Sequence, residues 1–211
     1  MLVHAVTPIT VGPAEVARRQ ARYDSLSPAG VEIVLTDLPD GPRALNTADD
    51  VRRSEKLVAA ALSAAPECDA VLPDCVLDPA VPADGGALGG KPALGLLRLT
   101  VGAAVAAGHR VGAITRNAAI AAELRDRITA YGWDSAFHEV HVLDLEVEDI
   151  TDPDRWATAM RPALLTARDA GVTAVVNGCS AVDTTTQDPN LPLVLDPIRT
   201  ALAVLAALQP R

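Results

Sequence analysis

Aromatic residues are almost missing from this chain. Two Trp, two Tyr and one Phe among 211 residues cannot build the stacking platforms on which single-stranded nucleic acids lie. They also leave Ala, Val and Leu to fill the core. Basic charge is scarce as well: 18 Lys and Arg against 27 Asp and Glu give a net charge of −9. Sequence-independent binding to DNA or RNA depends on cations that neutralise phosphates, and a polybasic membrane contact needs the same surplus. Both partner classes are excluded. An anionic ligand would have to be held by local positive groups that outweigh the global field.

A disulfide framework is missing too. Three cysteines in a chain of this length do not make one, and free thiols fit a reducing cytosol. The first residues, Met1 to Pro8, lack the charged segment that opens a signal peptide. The longest apolar stretch, Pro92 to Gly108, is broken by Arg98 and is too short to cross a bilayer. A soluble, cytoplasmic protein is expected. His4, His109, His138 and His141 show no metal-ligand spacing. No Gly-x-Gly-x-x-Gly or Walker loop appears, since Gly85-Gly86 and Gly89-Gly90 lie between elements instead of opening a helix after a strand. Neither a metal nor a cofactor is expected. The loop from Pro79 to Lys91 reads as a mobile flap over a site.

What is present is an alternation of short β-branched runs with Ala-rich segments, the pattern of an α/β fold with parallel sheets. Strands are expected near Leu2–Val6, Val31–Thr36, Ala70–Pro73 and Ala93–Leu96. A second set is expected near Arg110–Thr115, Glu139–Leu145, Ala174–Asn177 and Leu193–Leu195. Pairing them in order gives offsets of about 100 to 108 residues, the mark of an internal duplication. The expected architecture is therefore two pseudo-symmetric subdomains, each a four-stranded parallel sheet flanked by helices, with the active site in the cleft between them. Residues 1–97 form the first and 98–196 the second, with 197–211 packing back on the first. Helices follow Asp49-Asp50, Asn117 as a cap, Asp152-Pro153 and Pro197.

The third strand of each set ends on a cysteine: Cys75 after Ala70–Pro73, and Cys179 after Ala174–Asn177. Ligands of open parallel sheets bind at the carboxyl ends of the strands. Two thiols facing one another across a substrate carbon can remove a proton from one face and deliver one to the other, and a thiol's pKa lies close enough to neutrality for that task. Each cysteine precedes a turn (Val76-Leu77-Asp78 and Ser180-Ala181) whose backbone N–H groups can stabilise a thiolate or a developing oxyanion. Other strand ends are polar: Thr7-Pro8-Ile9-Thr10 after the first, and Thr115-Arg116-Asn117 after the fifth. Cys68, just before a strand and without a counterpart, reads as a small core residue.

These residues resemble the aspartate/glutamate/hydantoin racemase superfamily, most closely its hydantoin racemase branch. The resemblance rests on Thr7-Pro8-Ile9-Thr10 (the family usually shows Asn-Pro-Asn-Thr), Gly41-Pro42, Cys75 through Asp78-Pro79 and Pro92-Ala93-Leu94-Gly95. Gly112-Ala113-Ile114-Thr115, Val142 through Leu145 and Gly178-Cys179 extend it over nearly the whole chain. It implies that Cys75 and Cys179 are the acid–base thiols of a cofactor-independent racemase or epimerase acting at a carbon α to a carbonyl. It also implies that Thr10, Thr115 and the backbone around Ser180 bind the substrate's acidic group, and that the protein forms a homo-oligomer. Thr7, Ile9, Val76, Arg116 and Asn117 complete the expected substrate-binding set. Relatives on this scaffold decarboxylate arylmalonates or isomerise maleate, and a non-catalytic binder of a small metabolite is the alternative from another class.

The sequence departs from the family pattern at four places. Ile9 replaces a polar Asn, Asp74 stands directly before Cys75, Arg98 replaces an acidic residue, and Ala80-Val81 replaces Gly-Leu. Arg98 reads first as a solvated helix-face charge and Arg116 equally as a surface charge or a binding group, and either could add positive charge near a loop made less polar by Ile9. The expected substrate is therefore not a plain 5-substituted hydantoin but a small molecule bearing a carboxylate or other anionic group.

Overall fold

The computed structural model describes residues 1–184 and 188–208. The last three residues of the expected 197–211 segment lie outside the described residues. The first sheet holds β1 (Leu2–Val6), β2 (Glu32–Thr36) and β3 (Ala70–Pro73), all parallel in the order β2-β1-β3. A short antiparallel hairpin follows, β4 (Ala87–Leu88) with β5 (Lys91–Pro92). The second sheet holds β6 (Val111–Thr115), β7 (Phe137–Val142), β8 (Ala174–Asn177) and β9 (Leu193–Leu195), parallel in the order β7-β6-β8-β9. The helices are α1 (Pro13–Leu26), α2 (Ala48–Ser63), α3 (Leu96–Ala106), α4 (Ala118–Ala130), α5 (Pro153–Asp169) and α6 (Pro197–Leu208).

Residue choice follows position in the sheets. β6 and β8 are buried at every residue, and their runs Val-Gly-Ala-Ile-Thr and Ala-Val-Val-Asn are correspondingly continuous in apolar character. Edge strand β2 alternates instead, with Ile33 and Leu35 inward and Glu32 and Val34 outward. One face of the first sheet packs on α1 and α6: Tyr23, Ile198, Leu202 and Leu205 share a cluster with Val3, Ala5 and Leu72. Its other face receives Val58 and Leu62 of α2. On the second sheet, α4 covers one face through Leu124 and Ile128, and α5 covers the other through Trp156, Met160 and Leu164. Among the described residues no helix is long and apolar enough to cross a membrane.

The first sheet has three strands, not the four expected. At Ala93 only a single parallel bridge to Val71 forms, and the chain enters α3 three residues later. Asp78 drives this change. Its carboxylate accepts the backbone N–H groups of Leu97 (3.0 Å) and Arg98 (2.8 Å), capping a helix whose own N-cap residue, Gly95, has no side chain to do so. A Cβ on Gly95 would meet Asp78 Oδ2 at 2.2 Å, so glycine is required there. Tyr131 donates a third hydrogen bond to Asp78, at 2.9 Å.

Burial pushes the Asp78 carboxyl up to about 6 even though the N–H groups of Arg98 and Leu97 and the Tyr131 hydroxyl favour its charged form. A carboxyl raised in the fold above its unfolded value favours the folded state while protonated. That contribution is complete below about pH 4 and is lost as pH rises to about 6. We expect the stability difference between the wild type and Asp78→Asn to fall over that window and to stay constant above about pH 7, read by urea unfolding. Asp78→Ala, which removes the acceptor of three donors, one buried and two part-buried, should cost at least about 2 kcal/mol.

Candidate active site

The carboxyl ends of β1, β3, β6 and β8 meet at a cleft of about 570 Å³, counted to its open mouth. Cys75, beyond β3, and Cys179, beyond β8, both line it, so each sheet contributes one thiol. Gly178 allows the second approach. Its N–H donates to Ile114 O at 2.7 Å, and a Cβ there would lie 2.3 Å from that same oxygen. All three cysteines are free.

The two thiols sit in unlike surroundings. Cys75 is buried, and burial pushes it up to about 12, with Asp74, Asp78 and Cys179 acting in the same direction. The Leu77 N–H, 3.5 Å from its Sγ, opposes this only in part. Cys179 is also raised by burial, but the Arg19 and Arg116 guanidinium groups and the Ala181 N–H pull it back, against Asp74. Negative charge is therefore better supported at Cys179 than at Cys75.

Helix α1 supplies the cation nearest to both loops. Its polar stretch Ala-Glu-Val-Ala-Arg-Arg-Gln-Ala-Arg-Tyr buries Arg19 and Tyr23. Arg19 pairs with Asp74 Oδ2 at 3.0 Å and with Glu15 at 2.8 Å, and Tyr23 donates to Asp74 Oδ1 at 2.9 Å. Asp74 and Glu15 hold the Arg19 guanidinium above its ordinary value against the cost of burial. On the same helix, Arg18 donates to Ala181 O at 3.1 Å, and Arg22 donates to Ser180 O and pairs with Asp196. Ser180 Oγ closes the ring by donating to Asp74 O at 3.2 Å.

Of the residues expected to bind substrate, Ile9, Val76, Arg116 and Ser180 line the cleft. Arg116 is buried and donates to Leu145 O and Leu45 O, each at 3.2 Å, and to Asn46 Oδ1 at 2.8 Å. Thr7, Thr10, Thr115 and Asn117 lie behind the lining and spend their side chains on the loops that shape it. Thr7 Oγ1 donates to Ile9 O at 2.7 Å, Thr10 Oγ1 to Leu38 O at 2.6 Å, and Thr115 Oγ1 to Asn117 O at 3.4 Å. Asn117 caps α4 by accepting from Ile120 N and donates to Leu45 O at 2.8 Å.

Arg98 keeps its reading as a helix charge outside the site, and one expectation is corrected. Arg98 does not line the cleft; it lies 6.0 Å over the Tyr131 ring and donates to Pro82 O at 3.4 Å. Nor does any residue of the 79–91 loop. Its hairpin is fastened to the end of α2, with Lys91 Nζ bonded to Ala65 O at 3.1 Å. The lining instead includes Ala44-Leu45 and Val147 and Ile150 of a 3₁₀ turn, Val147–Thr151. Arg19, Leu45, Val147 and Ile150 escaped the sequence reading. The one hint to Arg19 is Asp74, a carboxylate at a buried strand end that requires a cation.

A search of curated proteins finds no sequence match to this chain. Among solved structures, the chain is similar to an allantoin racemase from Klebsiella pneumoniae at 20% identity and a TM-score of 0.81, covering 99% of this chain and 87% of that one. An allantoin racemase from Pseudomonas fluorescens matches at 18% identity and a TM-score of 0.84, with coverages of 99% and 90%. Arylmalonate decarboxylase matches at 15% identity and a TM-score of 0.58, with coverages of 99% and 92%. These likenesses establish a shared fold. The sequence model of one family, Asp/Glu/hydantoin racemase, matches residues 14–205, nearly the whole chain. The chain belongs to the Asp/Glu/hydantoin racemase family.

Proposed function

We propose that the protein is a cofactor-independent racemase or epimerase in which Cys75 and Cys179 form the acid–base pair. The carrying observation is that the two thiols follow strands of different sheets, line one cleft and meet unequal surroundings, with cations offsetting the effect of burial at Cys179. In this reading residues 1–97 and 98–196 act as two subdomains, each presenting one thiol. Membership of a racemase family supports racemase-type isomerase chemistry.

The Cys179 thiolate, stabilised by Arg19 and Arg116, removes the proton from a carbon α to a carbonyl. The electron pair left on that carbon moves into the carbonyl as an enolate. The Cys75 S–H, kept protonated by burial and by Asp74, delivers its proton to the opposite face. In this reading backbone N–H groups of the turns after the two cysteines, at Val76 and Ser180, receive the enolate oxygen. The opposite enantiomer runs the same steps in reverse. Two free thiols need a reducing compartment, which favours the cytoplasm.

Decarboxylation is the second reading. A single protonated thiol such as Cys75 would suffice to protonate the carbanion left by loss of CO₂, and arylmalonate decarboxylase shares the fold. The second cleft thiol supports racemisation over it.

Removing either base should be decisive. Cys75→Ser and Cys179→Ser should each lower racemisation by at least about 100-fold, the scale of a lost acid–base group, as followed by polarimetry. Cys68→Ala should behave as the wild type. A Cys179→Ser variant that keeps full racemisation would overturn the two-thiol assignment, and one that keeps only decarboxylation would favour the second reading.

The pH profile carries a sign. Because Cys179 acts in its charged form and lies above the ordinary thiol value, kcat/KM for the enantiomer it deprotonates should rise with pH through 7 to 9. Arg19→Gln, which withdraws the leading cation beside Cys179, should move that rise to higher pH. A profile falling over this range would contradict the assignment.

A further inference from the structure

The cleft's charges are unevenly matched. Arg19 faces two carboxylates, Asp74 at 3.0 Å and Glu15 at 2.8 Å, so its charge is compensated within the fold. Asp74, the one carboxylate lining the cleft among the described residues, is in turn held by Arg19 and Tyr23. Arg116 differs from both. Its three hydrogen bonds go to neutral oxygens, and no carboxylate lies within ion-pair distance of it among the described residues. A guanidinium carries five N–H donors, which leaves Nε and one Nη1 proton of Arg116 for a ligand. Cys179, when ionised, acts on it most strongly, and Glu146, Glu148 and Asp149 act on it through the longer-range field. None of the three carboxylates lines the cleft, and Asp149 is paired with Arg155 at 3.1 Å.

The remaining wall is apolar, made by Ile9, Leu45, Ile120, Val147 and Ile150. While the Cys179 thiol is protonated, the form its burial favours, Arg116 is a buried cation without a partner ion, which is costly and favours an incoming anion. A ligand ammonium, by contrast, would enter a cleft with no free carboxylate to receive it and with a cation already present.

We propose that the cleft is built for a monoanion: a small carbon acid with one anionic group on Arg116, an uncharged nitrogen or none, and an apolar side group against Ile9, Ile120 and Ile150. The substrate class is an N-acylated or N-carbamoylated amino acid, not a free amino acid and not a dicarboxylate. A free amino acid brings an ammonium with no acceptor. A dicarboxylate brings a second negative charge, for which the only other cleft cation is already matched. That this monoanion is also turned over rests on the two-thiol reading; that it binds does not.

The test is calorimetric titration of the wild-type protein with three ligands that share one side chain: N-carbamoyl-leucine (monoanion), leucine (zwitterion) and N-carbamoyl-leucinamide (neutral). The monoanion should bind at least about tenfold more tightly than the other two, because charge-assisted bonds are worth about one to two orders of magnitude in affinity. Arg116→Gln should erase that preference, and Arg116→Lys should restore part of it. Equal or tighter binding of leucine or the amide, or no measurable binding of the monoanion at millimolar concentration, would overturn the proposal. So would an Arg116→Gln protein that keeps its wild-type melting temperature and its preference. The comparison on the wild type needs no variant to fold. Proton NMR of the same samples in D₂O separates the two claims: tight binding of the monoanion without loss of its α-proton supports the binding class and counts against the racemase reading. Rapid exchange on leucine, or on a neutral hydantoin added as a fourth ligand, overturns the monoanion class and leaves the racemase reading standing.

Discussion

The arrangement of the cleft depends on a buried ion pair between Arg19 and Asp74. Asp74 directly precedes Cys75, so whatever fixes its carboxylate fixes the loop carrying that thiol. Arg19 and Tyr23 do this from α1. The same helix reaches the loop carrying the other thiol through Arg18 to Ala181 O and Arg22 to Ser180 O. One helix of the first half thus sets the position of two strand ends on separate sheets. A buried pair of this kind contributes little net stability, but losing one partner is severe because the other charge remains buried. Positional definition is what the pair provides here, at the cost of placing a carboxylate beside a thiol.

That carboxylate also divides the thiols chemically. Asp74 raises both, but Arg19 and Arg116 offset it at Cys179 and not at Cys75. Two parallel sheets of three and four strands therefore carry an unequal pair, one sulfur better suited to hold charge and the other to hold a proton. This division suits the direction in which Cys179 begins deprotonated and Cys75 protonated; the opposite direction exchanges the two protonation states. The departure at Asp74 from the family pattern makes sense as part of this electrostatic division once Arg19 is seen opposite it.

Much of the fold was legible in the sequence because parallel core strands are short apolar runs with polar ends. Leu2–Val6, Ala70–Pro73, Ala174–Asn177 and Leu193–Leu195 carry that signature and form strands at those bounds. Two helices were not legible, for opposite reasons. α1 buries an arginine on its inner face, so its apolar stripe is too thin to read. α3 is apolar nearly all round because it lies between clusters of both halves: Leu96 packs with the first sheet, and Leu97 and Val101 with the second. A run without polar contrast cannot be told from a strand, and its start is set by Asp78, eighteen residues before Leu96 in the chain. The site divides in the same way. Cys75 and Cys179 stand at strand ends and were visible, whereas Arg19, Leu45 and Ile150 reach the cleft from helix and loop positions that only tertiary packing defines.

The central claim is that two thiols act on opposite faces of one carbon. Its most direct test is the isotopic course of the first turnovers in D₂O, starting from a single protiated enantiomer of a substrate that the protein racemises. Two bases predict that the product enantiomer carries deuterium from the outset while the unreacted substrate keeps its α-proton, because the group returning the proton is not the group that removed it. Deuterium appearing in recovered substrate as fast as in product, in both directions of reaction, would mean that one base serves both faces and would contradict the account.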